Sequence, residues 1–412
     1  MQNTPSWAAN TCNPLQSTTT QNLNKFKFNK MKQRYLLKTL LLLSIIFFTF
    51  SAKAQQNEDL LNLLIKKGVL SQQEADSIRS DQAIKAQAKK DKETHFNVLS
   101  STKALQVSGV LQERYQGFAQ SGVNNAFDLH RARLIVSGNV TDDWSYFTQT
   151  ELGGSGVKLV DAYTAVKVAD YLKFTAGQFK IPFSLESLTS DAQLEFIDRS
   201  QVVEALVGRS KDVISATPGN QQGRDIGIQV NGSFAKVDAG YLFDYTFGVF
   251  NGAGYDVSTD NNNRKDIGGR FSVHPVKDLV VSADFYNGVA NYGTPAKNQK
   301  RNRGGFDARY VIGPLSLTAE YDKGTDGSTK RDGYFGQAAY FIIPKKLQIA
   351  AKYDTYDPNK TVYTDRTWIY TGGVNYFFNN WSKITFDYLA RHEEGSVQVK
   401  NDIFEAQLQI VF

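Results

Sequence analysis

Apolar and polar residues alternate along most of the chain from about residue 104 to its end. The pattern is sharpest in 403–412, where one parity is apolar: Phe404, Ala406, Leu408, Ile410 and Phe412. The other parity is polar there: Glu405, Gln407 and Gln409. The same period recurs in 236–247, 347–354 and 383–391. Successive side chains of a β-strand point to opposite faces, so a period of two predicts strands with one apolar and one polar face.

Turn-forming residues divide this part of the chain into sixteen predicted strands. They are 104–118, 127–139, 144–152, 157–168, 171–181, 224–233, 236–250, 265–274, 279–287, 304–312, 315–323, 331–343, 347–356, 366–377, 381–391 and 401–412. The predicted short turns are Val140–Asp143, Ala169–Asp170, Phe234–Ala235, Pro275–Asp278, Gly313–Pro314, Pro344–Lys346 and Phe378–Asn380. Longer predicted loops alternate with them: 119–126, 153–156, 182–223, 252–264, 288–303, 324–330, 357–365 and 392–400.

An even number of strands, with short turns at one end and longer loops at the other, is typical of a transmembrane barrel. Closure is required in a membrane because lipid cannot hydrogen-bond an open sheet edge. The alternative is a soluble sandwich, whose apolar faces would form a core between two sheets. Charges in the middle of strands and aromatic residues at strand ends favour the barrel. We therefore predict an all-β fold, a closed antiparallel transmembrane β-barrel of about sixteen strands over 101–412, preceded by a short N-terminal α-helical periplasmic segment.

The first 54 residues have the layout of an upstream extension followed by a secretory signal peptide. Three basic residues come first: Lys32, Arg34 and Lys38. An apolar stretch, 36–50, follows, and Ala52-Lys53-Ala54 then provides a small-x-small cleavage site after Ala54. A membrane anchor is the alternative, but the apolar stretch is shorter than the ~20 residues that a spanning helix needs. The order fits a translation start at Met31, and it predicts export toward the bacterial outer membrane.

Residues 55–100 predict a periplasmic helical segment and linker. Leucine and isoleucine cluster over 60–65, and Gly68 can end that helix because glycine tolerates the left-handed cap. Ser71-Gln72-Gln73-Glu74 is a capping box that opens a second helix. Three roles stay open for this segment: a solvated spacer, a module that helps the barrel to oligomerise, and a plug of the pore.

Charge and cysteine content narrow the possible partners. The formal net charge is +6, but 1–54 holds seven Lys or Arg and no acidic residue, so the remainder has 40 basic and 41 acidic residues. A near-neutral mature chain has no electrostatic footprint for nucleic acid. The only cysteine, Cys12, lies in the part predicted to be absent from the mature chain, which excludes disulfides, zinc–thiolate sites and a cysteine nucleophile there.

Other chemistry is weakly represented. The four histidines, His95, His130, His274 and His392, have no metal-ligand spacing. The acidic, Asn-rich loop 256–266 could coordinate calcium or be a solvated loop. His392 beside Glu393 and Glu394 is the one pairing that suggests a barrel hydrolase. We therefore expect no cofactor, no metal site and no enzymatic activity.

One stretch is more specific than periodicity. The segment Gly177-Gln178-Phe179-Lys180-Ile181-Pro182-Phe183-Ser184-Leu185-Glu186 resembles the strand-to-loop motif of the phosphate-selective porin O and P family. Further matches are Phe196-Ile197-Asp198-Arg199-Ser200, Gly223-Arg224-Asp225-Ile226-Gly227, Arg131-Ala132-Arg133-Leu134 and Asp161-Ala162-Tyr163. The resemblance implies a sixteen-stranded barrel, a trimer, and an inward-folded loop, 182–223, that narrows the pore.

Anion selection requires basic side chains along the lumen. The candidate pore-lining and anion-contact residues are Arg131, Arg133, Lys180, Arg199, Arg209, Lys211, Arg270, Arg309 and Lys352. Parity also places many Asp and Glu residues in the lumen, so the summed charges along the pore largely cancel. The alternative interpretation is that these cations are wall charges paired with neighbouring carboxylates. Arg131 and Arg133, together with Arg199, Arg209 and Lys211, form the cluster to test first.

These observations predict an outer-membrane porin for passive diffusion of small hydrophilic solutes or ions, with a preference for anions or phosphate as an open question. The expected partners are outer-membrane lipid and lipopolysaccharide, small solutes or anions including phosphate, and the barrel-assembly machinery, which would recognise the terminal Phe412. A homotrimer is also expected, and nucleic acid is not. The alternatives are an outer-membrane barrel hydrolase and a surface-binding structural barrel.

Overall fold

The computed structural model describes Lys67 and the ranges 105–154, 156–216, 222–238, 240–254, 256–257, 259–395 and 398–412. The predicted signal peptide, its start at Met31 and its cleavage after Ala54 lie outside the described residues. So does the predicted helical segment 55–100, apart from Lys67.

Sixteen antiparallel strands form one closed barrel, which confirms the predicted architecture. They are β1 (Gln106–Phe118), β2 (Ala126–Asn139), β3 (Trp144–Glu151), β4 (Lys158–Ala169), β5 (Leu172–Lys180), β6 (Arg224–Val237), β7 (Gly240–Phe250), β8 (Asp266–Val273), β9 (Leu279–Tyr292), β10 (Lys297–Ile312), β11 (Leu315–Asp326), β12 (Thr329–Ile343), β13 (Leu347–Asp357), β14 (Thr367–Phe377), β15 (Ser382–Glu393) and β16 (Ile403–Val411). Every strand pairs with its neighbours in sequence, and β1 pairs with β16, with Val110 opposite Val411. In the described part of the chain, no helix is long and apolar enough to cross a membrane.

The barrel is apolar outside and polar inside. On β16, the outward-facing Phe404, Leu408 and Ile410 are 42%, 37% and 40% exposed, whereas the inward-facing Glu405 and Gln407 are 0% and 3% exposed. A soluble protein buries the apolar parity and exposes the polar one. The reversed pattern therefore suits a barrel whose outer face meets lipid.

Two predicted long loops are wrong. The segments 288–303 and 324–330 are continuations of strands, and the real turns are the short segments 293–296 and 327–328. Gly327 has a φ of 60°, which allows the tight turn between β11 and β12.

The reason for these two errors is that glycine has another use in this barrel. A Cβ atom at Gly288 would lie 2.0 Å from Oδ2 of Asp266, and one at Gly324 would lie 2.9 Å from Cδ2 of Leu206. Both glycines therefore permit close contacts on the inner wall and do not start a loop. The strands that they interrupt in the sequence pattern continue past them.

The predicted turn at Phe234–Ala235 is also wrong. Strand β6 continues to Val237, and the turn to β7 lies between Val237 and Gly240. Ala235 has a φ of 58°, and the pairing keeps one register on both sides of it, since Phe234 lies opposite Phe243 and Lys236 lies opposite Tyr241. The strand therefore passes through this left-handed position without ending.

The long segment between β5 and β6, residues 181–223, is called the constriction loop below. It contains two short helices, α1 (Leu185–Leu188) and α2 (Gln201–Leu206), and the 3₁₀ turns Asp191–Gln193 and Val213–Ala216. Helix α2 lies against β11, β12 and β13. The loop therefore occupies part of the lumen.

An apolar cluster anchors the constriction loop to the wall. Its loop members are buried: Phe183, Val202, Val203, Leu206 and Val207. Wall members are Phe179, Phe250, Tyr286 and Phe335. The approach is close because the wall has glycine beneath the loop: a Cβ at Gly333 would lie 2.9 Å from Cβ of Val202, and one at Gly373 would lie 3.0 Å from the ring of Phe196.

Candidate functional site

Carboxylates of the inner wall hold the constriction loop by its backbone. Four backbone amides of the loop donate to four buried carboxylates on β9, β11, β13 and β15. The donor and acceptor residues are Ser184 with Asp284 (2.9 Å), Glu186 with Glu320 (3.0 Å), Gln201 with Asp354 (2.8 Å) and Ile197 with Asp387 (2.7 Å). A buried carboxylate is costly unless its oxygens accept hydrogen bonds. These acids therefore have a structural use beneath the loop.

Basic residues of the wall hold the loop by its carbonyls. The Nζ atom of Lys180 donates to the carbonyl oxygens of Ser187, Leu188 and Thr189 at 2.7, 3.1 and 3.0 Å. Further wall-to-carbonyl bonds are Lys352 to Asp198 (3.0 Å), Lys383 to Leu194 (2.7 Å) and Arg303 to Leu206 (2.8 Å). Of the candidate anion contacts, Lys180 and Lys352 are thus engaged with the loop.

Asp191, on the constriction loop, is the centre of a basic cluster. Arg131 and Arg133 of β2 and Arg199 of the loop all form ion pairs with its carboxylate, with Arg131 at 3.4 Å. Burial by itself would raise the pKa of Asp191, but Arg131, Arg199, Arg133 and Lys180 hold that pKa well below its usual value. We call Arg131, Arg133, Lys180, Arg199 and Asp191 the Asp191 cluster. It combines four basic residues with Asp191, and Arg133 also pairs with Glu151 of β3 at 2.9 Å.

The other candidate residues are mostly paired. Arg270 bonds with Asp284 and Asp307 at 2.6 and 2.5 Å. Arg309 lies 3.3 Å from Glu195, and Arg209 lies 2.8 Å from Glu204. Burial opposes ionisation of Glu204, but Arg209 and the Ser210 hydroxyl lower its pKa to about 2. Lys211 is exposed and has no ion pair within the described residues. Arg209, Arg270 and Arg309 therefore fit the alternative interpretation, in which the basic residue is paired with a neighbouring carboxylate.

Two cavities lie on either side of the Asp191 cluster. The loop-side cavity, of about 270 Å³, is lined by Arg131 and Arg199, and the turn-side cavity, of about 420 Å³, is lined by Arg133, Lys180 and Asp191. Strand β2 runs from the loop end to the turn end of the barrel, so Arg131 and then Arg133 follow the direction of the lumen. The Asp191 cluster is thus shared by the two cavities.

Both cavities have more basic than acidic residues in their walls. The loop-side cavity has the basic residues Arg131, Arg199, Arg209, Lys211, Lys352 and Arg391 and the acidic residues Asp198, Glu204, Asp354 and Asp387. The turn-side cavity has the basic residues Arg133, Lys173, Lys180 and Arg224 and the acidic residues Asp161 and Asp191. Each cavity therefore has a formal excess of two positive charges.

Some charged residues of the site are absent from the sequence-based candidates. Arg224 makes two bonds of 2.8 Å with Asp161 beside the turn-side cavity. Arg301 and Arg303 contact Asp212 of the constriction loop, with Arg301 at 2.9 Å. Strand parity would have revealed Arg224, which opens β6. Arg301 and Arg303 fall in the wrongly predicted loop 288–303, so no sequence signal placed them in the lumen.

The alternative chemistries are not supported by the geometry. His392 lies on the outer face between the rings of Trp368 and Tyr370, at 6.2 and 5.8 Å, and the Glu393 carboxylate accepts bonds from Val399 and Asn401. In the 256–266 loop, the Asp260 carboxylate accepts bonds from its own turn and pairs with Lys265. No group of three or more His, Cys, Asp or Glu in the described ranges could hold a metal ion.

Solved structures share this barrel. OmpF of Salmonella typhi, in complex with daunomycin, matches with a TM-score of 0.55 and 13% identity over 77% of this chain and 100% of that chain. The outer membrane channel DcaP of Acinetobacter baumannii gives 0.52 and 12% over 77% and 100%. OmpT, an outer membrane protein of Vibrio cholerae in a trimer form, gives 0.52 and 14% over 76% and 100%. Identities this low show a shared fold only.

The family assignment comes from sequence. The comparison with curated proteins finds no match. The sequence profile of the family described as phosphate-selective porin O and P matches residues 110–412, which include all sixteen strands except the first residues of β1. The chain therefore belongs to the phosphate-selective porin O and P family and is a porin of the bacterial outer membrane.

Proposed function

We propose that this porin passes small hydrophilic solutes by diffusion and prefers anions, phosphate among them. The observation that carries the proposal is the Asp191 cluster, in which Arg131, Arg133, Arg199 and Lys180 surround one carboxylate where two cavities meet. Fields inside a narrow, low-dielectric lumen act more strongly than in bulk water. An excess of positive charge there lowers the energy of an anion and raises that of a cation.

The position of the acids supports the same conclusion. Glu320 and Asp284 are buried beneath the loop, where they accept bonds from its backbone, and neither lines one of the two cavities. Guanidinium groups suit phosphate because their planar N–H donors match its oxygens. Arg131 and Arg133 have such groups directed at Asp191, and a passing phosphate would compete for the same donors.

The test is the reversal potential of the purified protein in a planar bilayer across a KCl gradient. We expect discrete channels whose reversal potential has the sign of a chloride preference, and current that persists when phosphate replaces chloride. The double variant Arg131→Gln/Arg133→Gln should lower the anion-to-cation permeability ratio by roughly tenfold, because each of the two cavities loses one positive charge from its wall. A cation preference of the unaltered protein, or an unchanged ratio in the double variant, would contradict the proposal.

A matched control removes two charges outside the lumen. Lys277 and Lys345 are exposed residues at short turns. The variant Lys277→Gln/Lys345→Gln changes the net charge equally and should leave the permeability ratio unaltered. Equal effects of the two double variants would mean that net charge, and not the Asp191 cluster, sets the preference.

We infer that the protein is a channel and not a hydrolase, because His392 faces the outside and is separated from the Glu393 carboxylate. Lipid or peptide hydrolysis that disappears in His392→Ala would overturn this inference.

We also propose the partners and domains that an exported porin requires. Residues 1–54 are an extension and signal peptide, and 55–100 a periplasmic helical segment. Outer-membrane lipid and lipopolysaccharide surround the barrel, three copies form a trimer, and the assembly machinery binds the terminal Phe412. The exposed ring of Phe412 (46%) supports the last point, since its backbone is held by Gly109 at 2.7 and 3.1 Å while the side chain remains accessible. If the unaltered protein ran only as a monomer on a denaturing gel without heating, the trimer would be contradicted. Normal membrane assembly of the Phe412→Ala variant would contradict the role of Phe412.

A further inference from the structure

A basic depression lies on the outer wall of the barrel, away from the pore. It has a volume of about 380 Å³ at the loop-bearing ends of β10, β11 and β12. By strand parity, Lys323 and Lys330 point outward beside it, and Lys360 of the next loop completes it. Asp332 is the only acidic residue in its lining. Three amines with one carboxylate make this patch suited to an anion.

The amines are not all committed to that carboxylate. Lys360 forms an ion pair with Asp332, and the Tyr321 hydroxyl lies 3.4 Å from the same carboxylate. Within the described residues, neither Lys323 nor Lys330 has an ion pair, and both side chains are exposed. The depression therefore offers two free amines and a third beside them.

The patch lies at the level of a membrane surface. Tyr321 lies opposite Tyr334, and Lys323 lies opposite Asp332. The tyrosine pair is two residues further from the loop end of the strands than the Lys323 and Asp332 pair. The aromatic row continues around the wall, with ring centroids 5.9 Å apart for Tyr334 and Tyr353. Outward-facing tyrosines of this kind mark the boundary between hydrocarbon and headgroups in transmembrane barrels. Lys323 and Lys330 therefore lie at headgroup height.

The floor of the depression suits a lipid. Gly304 lies opposite Lys323, and a Cβ added there would meet only the Lys323 side chain, at 3.5 Å. Two residues further along the same face, Phe306 is 62% exposed, and Phe285 beside Gly304 is 38% exposed. Amines at the headgroup level thus adjoin an open apolar surface.

We propose that this depression binds a phosphate group of lipid A in the outer leaflet. The loop-bearing end of an outer-membrane barrel faces outside, so the lipid there is that of the outer leaflet. Phosphate attached to acyl chains satisfies both the amines and the apolar floor, which free phosphate would not. Basic pockets at a membrane surface are general headgroup sites. The inference rests on the outer-membrane placement of the porin and not on its ion preference.

The test is lipid binding by the full chain folded in detergent, followed by native mass spectrometry. The probe is bisphosphorylated lipid A, and the variant is Lys323→Gln/Lys330→Gln/Lys360→Gln. We expect the variant to bind lipid A at least about tenfold more weakly, because three headgroup contacts are lost. Dephosphorylated lipid A should bind both proteins equally. Equal binding of bisphosphorylated lipid A to the variant and the unaltered protein would overturn the proposal.

Controls distinguish the source of the phosphate and the state of the fold. The matched variant Lys236→Gln/Lys277→Gln/Lys345→Gln removes three exposed lysines from the opposite end and should bind lipid A normally. Displacement of lipid A by millimolar inorganic phosphate would mean a free-phosphate site, and equal lysine-dependent binding of phosphatidylglycerol would mean a general anionic-lipid surface. Either result would overturn the assignment. Bilayer reversal potentials should be the same for the lysine variant and the unaltered protein. The lipid A proposal can therefore fail while the anion preference of the pore holds, and the reverse.

Discussion

The two sides of the inner wall meet the constriction loop in different ways. On β9 to β15, carboxylates such as Asp284 and Glu320 lie under the loop and accept its backbone N–H groups. On β2 to β6, Arg133 and Arg224 face the turn-side cavity. Asp284 and Glu320 therefore dock the loop without lining either cavity, while Arg133 and Arg224 line one. A count of lumen charges treats the two sides as equal, and the structure separates them.

The comparison also shows that two kinds of contact hold the loop. At Asp284 and Glu320 the donor is a neutral backbone amide. The side-chain oxygen of Asn or Gln could therefore accept the same hydrogen bond in place of the carboxylate. In the Asp191 cluster the donors are guanidinium groups, and removal of the carboxylate would leave Arg131 and Arg199 without an ion-pair partner among the described residues, whereas Arg133 would keep Glu151. Breaking a buried ion pair in this way costs more than removing a neutral hydrogen bond.

The largest effect is expected from Asp191→Asn. Loss of the carboxylate removes the ion-pair partner of Arg131 and Arg199, and the docked loop should lose about 3–5 kcal/mol. The loop should become accessible to protease in the folded barrel, and single-channel current should become noisy. A loop as resistant as in the unaltered protein would show that the cluster does not anchor it.

A smaller loss is expected from Leu206→Ala. Leu206 is fully buried between the loop and the wall, so truncation leaves a cavity and should cost about 2–4 kcal/mol of loop docking. Protease resistance of the loop measures this loss. The matched control, Leu317→Ala, removes the same atoms from the outer face, where Leu317 is 39% exposed, and should leave the loop resistant. Similar behaviour of the two variants would contradict the packing role of Leu206.

A still smaller effect is expected from Glu320→Gln, compared with Arg131→Gln. Each variant removes one charge. The glutamine at position 320 keeps an oxygen that can accept the hydrogen bond from the Glu186 amide. The other oxygen of Glu320, Oε1, has no hydrogen-bond partner in the described part of the chain, so its replacement by an NH₂ group breaks no bond. The docked loop should change by about 1 kcal/mol or less. The reversal potential should shift toward cations for Arg131→Gln and hardly at all for Glu320→Gln. Equal shifts would remove the distinction between covered acids and open bases.

The smallest effect concerns pH. Asp191 and Glu204 have lowered pKa values in the docked loop, so their stabilising effect is complete above their ordinary values of 3.8 and 4.5 and is lost as pH falls through the lowered values, about 2 for Glu204. The contribution of these two carboxylates to loop docking should therefore be constant between about pH 7 and pH 5, and the current noise that it controls should rise only under stronger acid. A rise already at pH 6 would mean that other groups control the loop.

Strand positions were largely predictable because alternation is a local property. Period two placed β16 and β15 and assigned Arg131 and Arg133 to one face, since side chains two residues apart on a strand point the same way. The errors occur where a local signal has two meanings. Gly288 and Gly324 suggest turns in sequence, but in the barrel they allow close contacts with Asp266 and Leu206.

The sequence by itself determined the barrel, its strand count, the parity of its walls and the candidate basic residues. Only the tertiary structure decided which charges meet. Arg133 and Asp191 are 58 residues apart, and they come together because Val202 and Leu206 pack the constriction loop against one wall. That packing covers Asp284 and Glu320 and leaves Arg131 and Arg133 beside the cavities. A local pattern cannot specify such a contact, because the path of a long loop is set by what it packs against and not by its own periodicity.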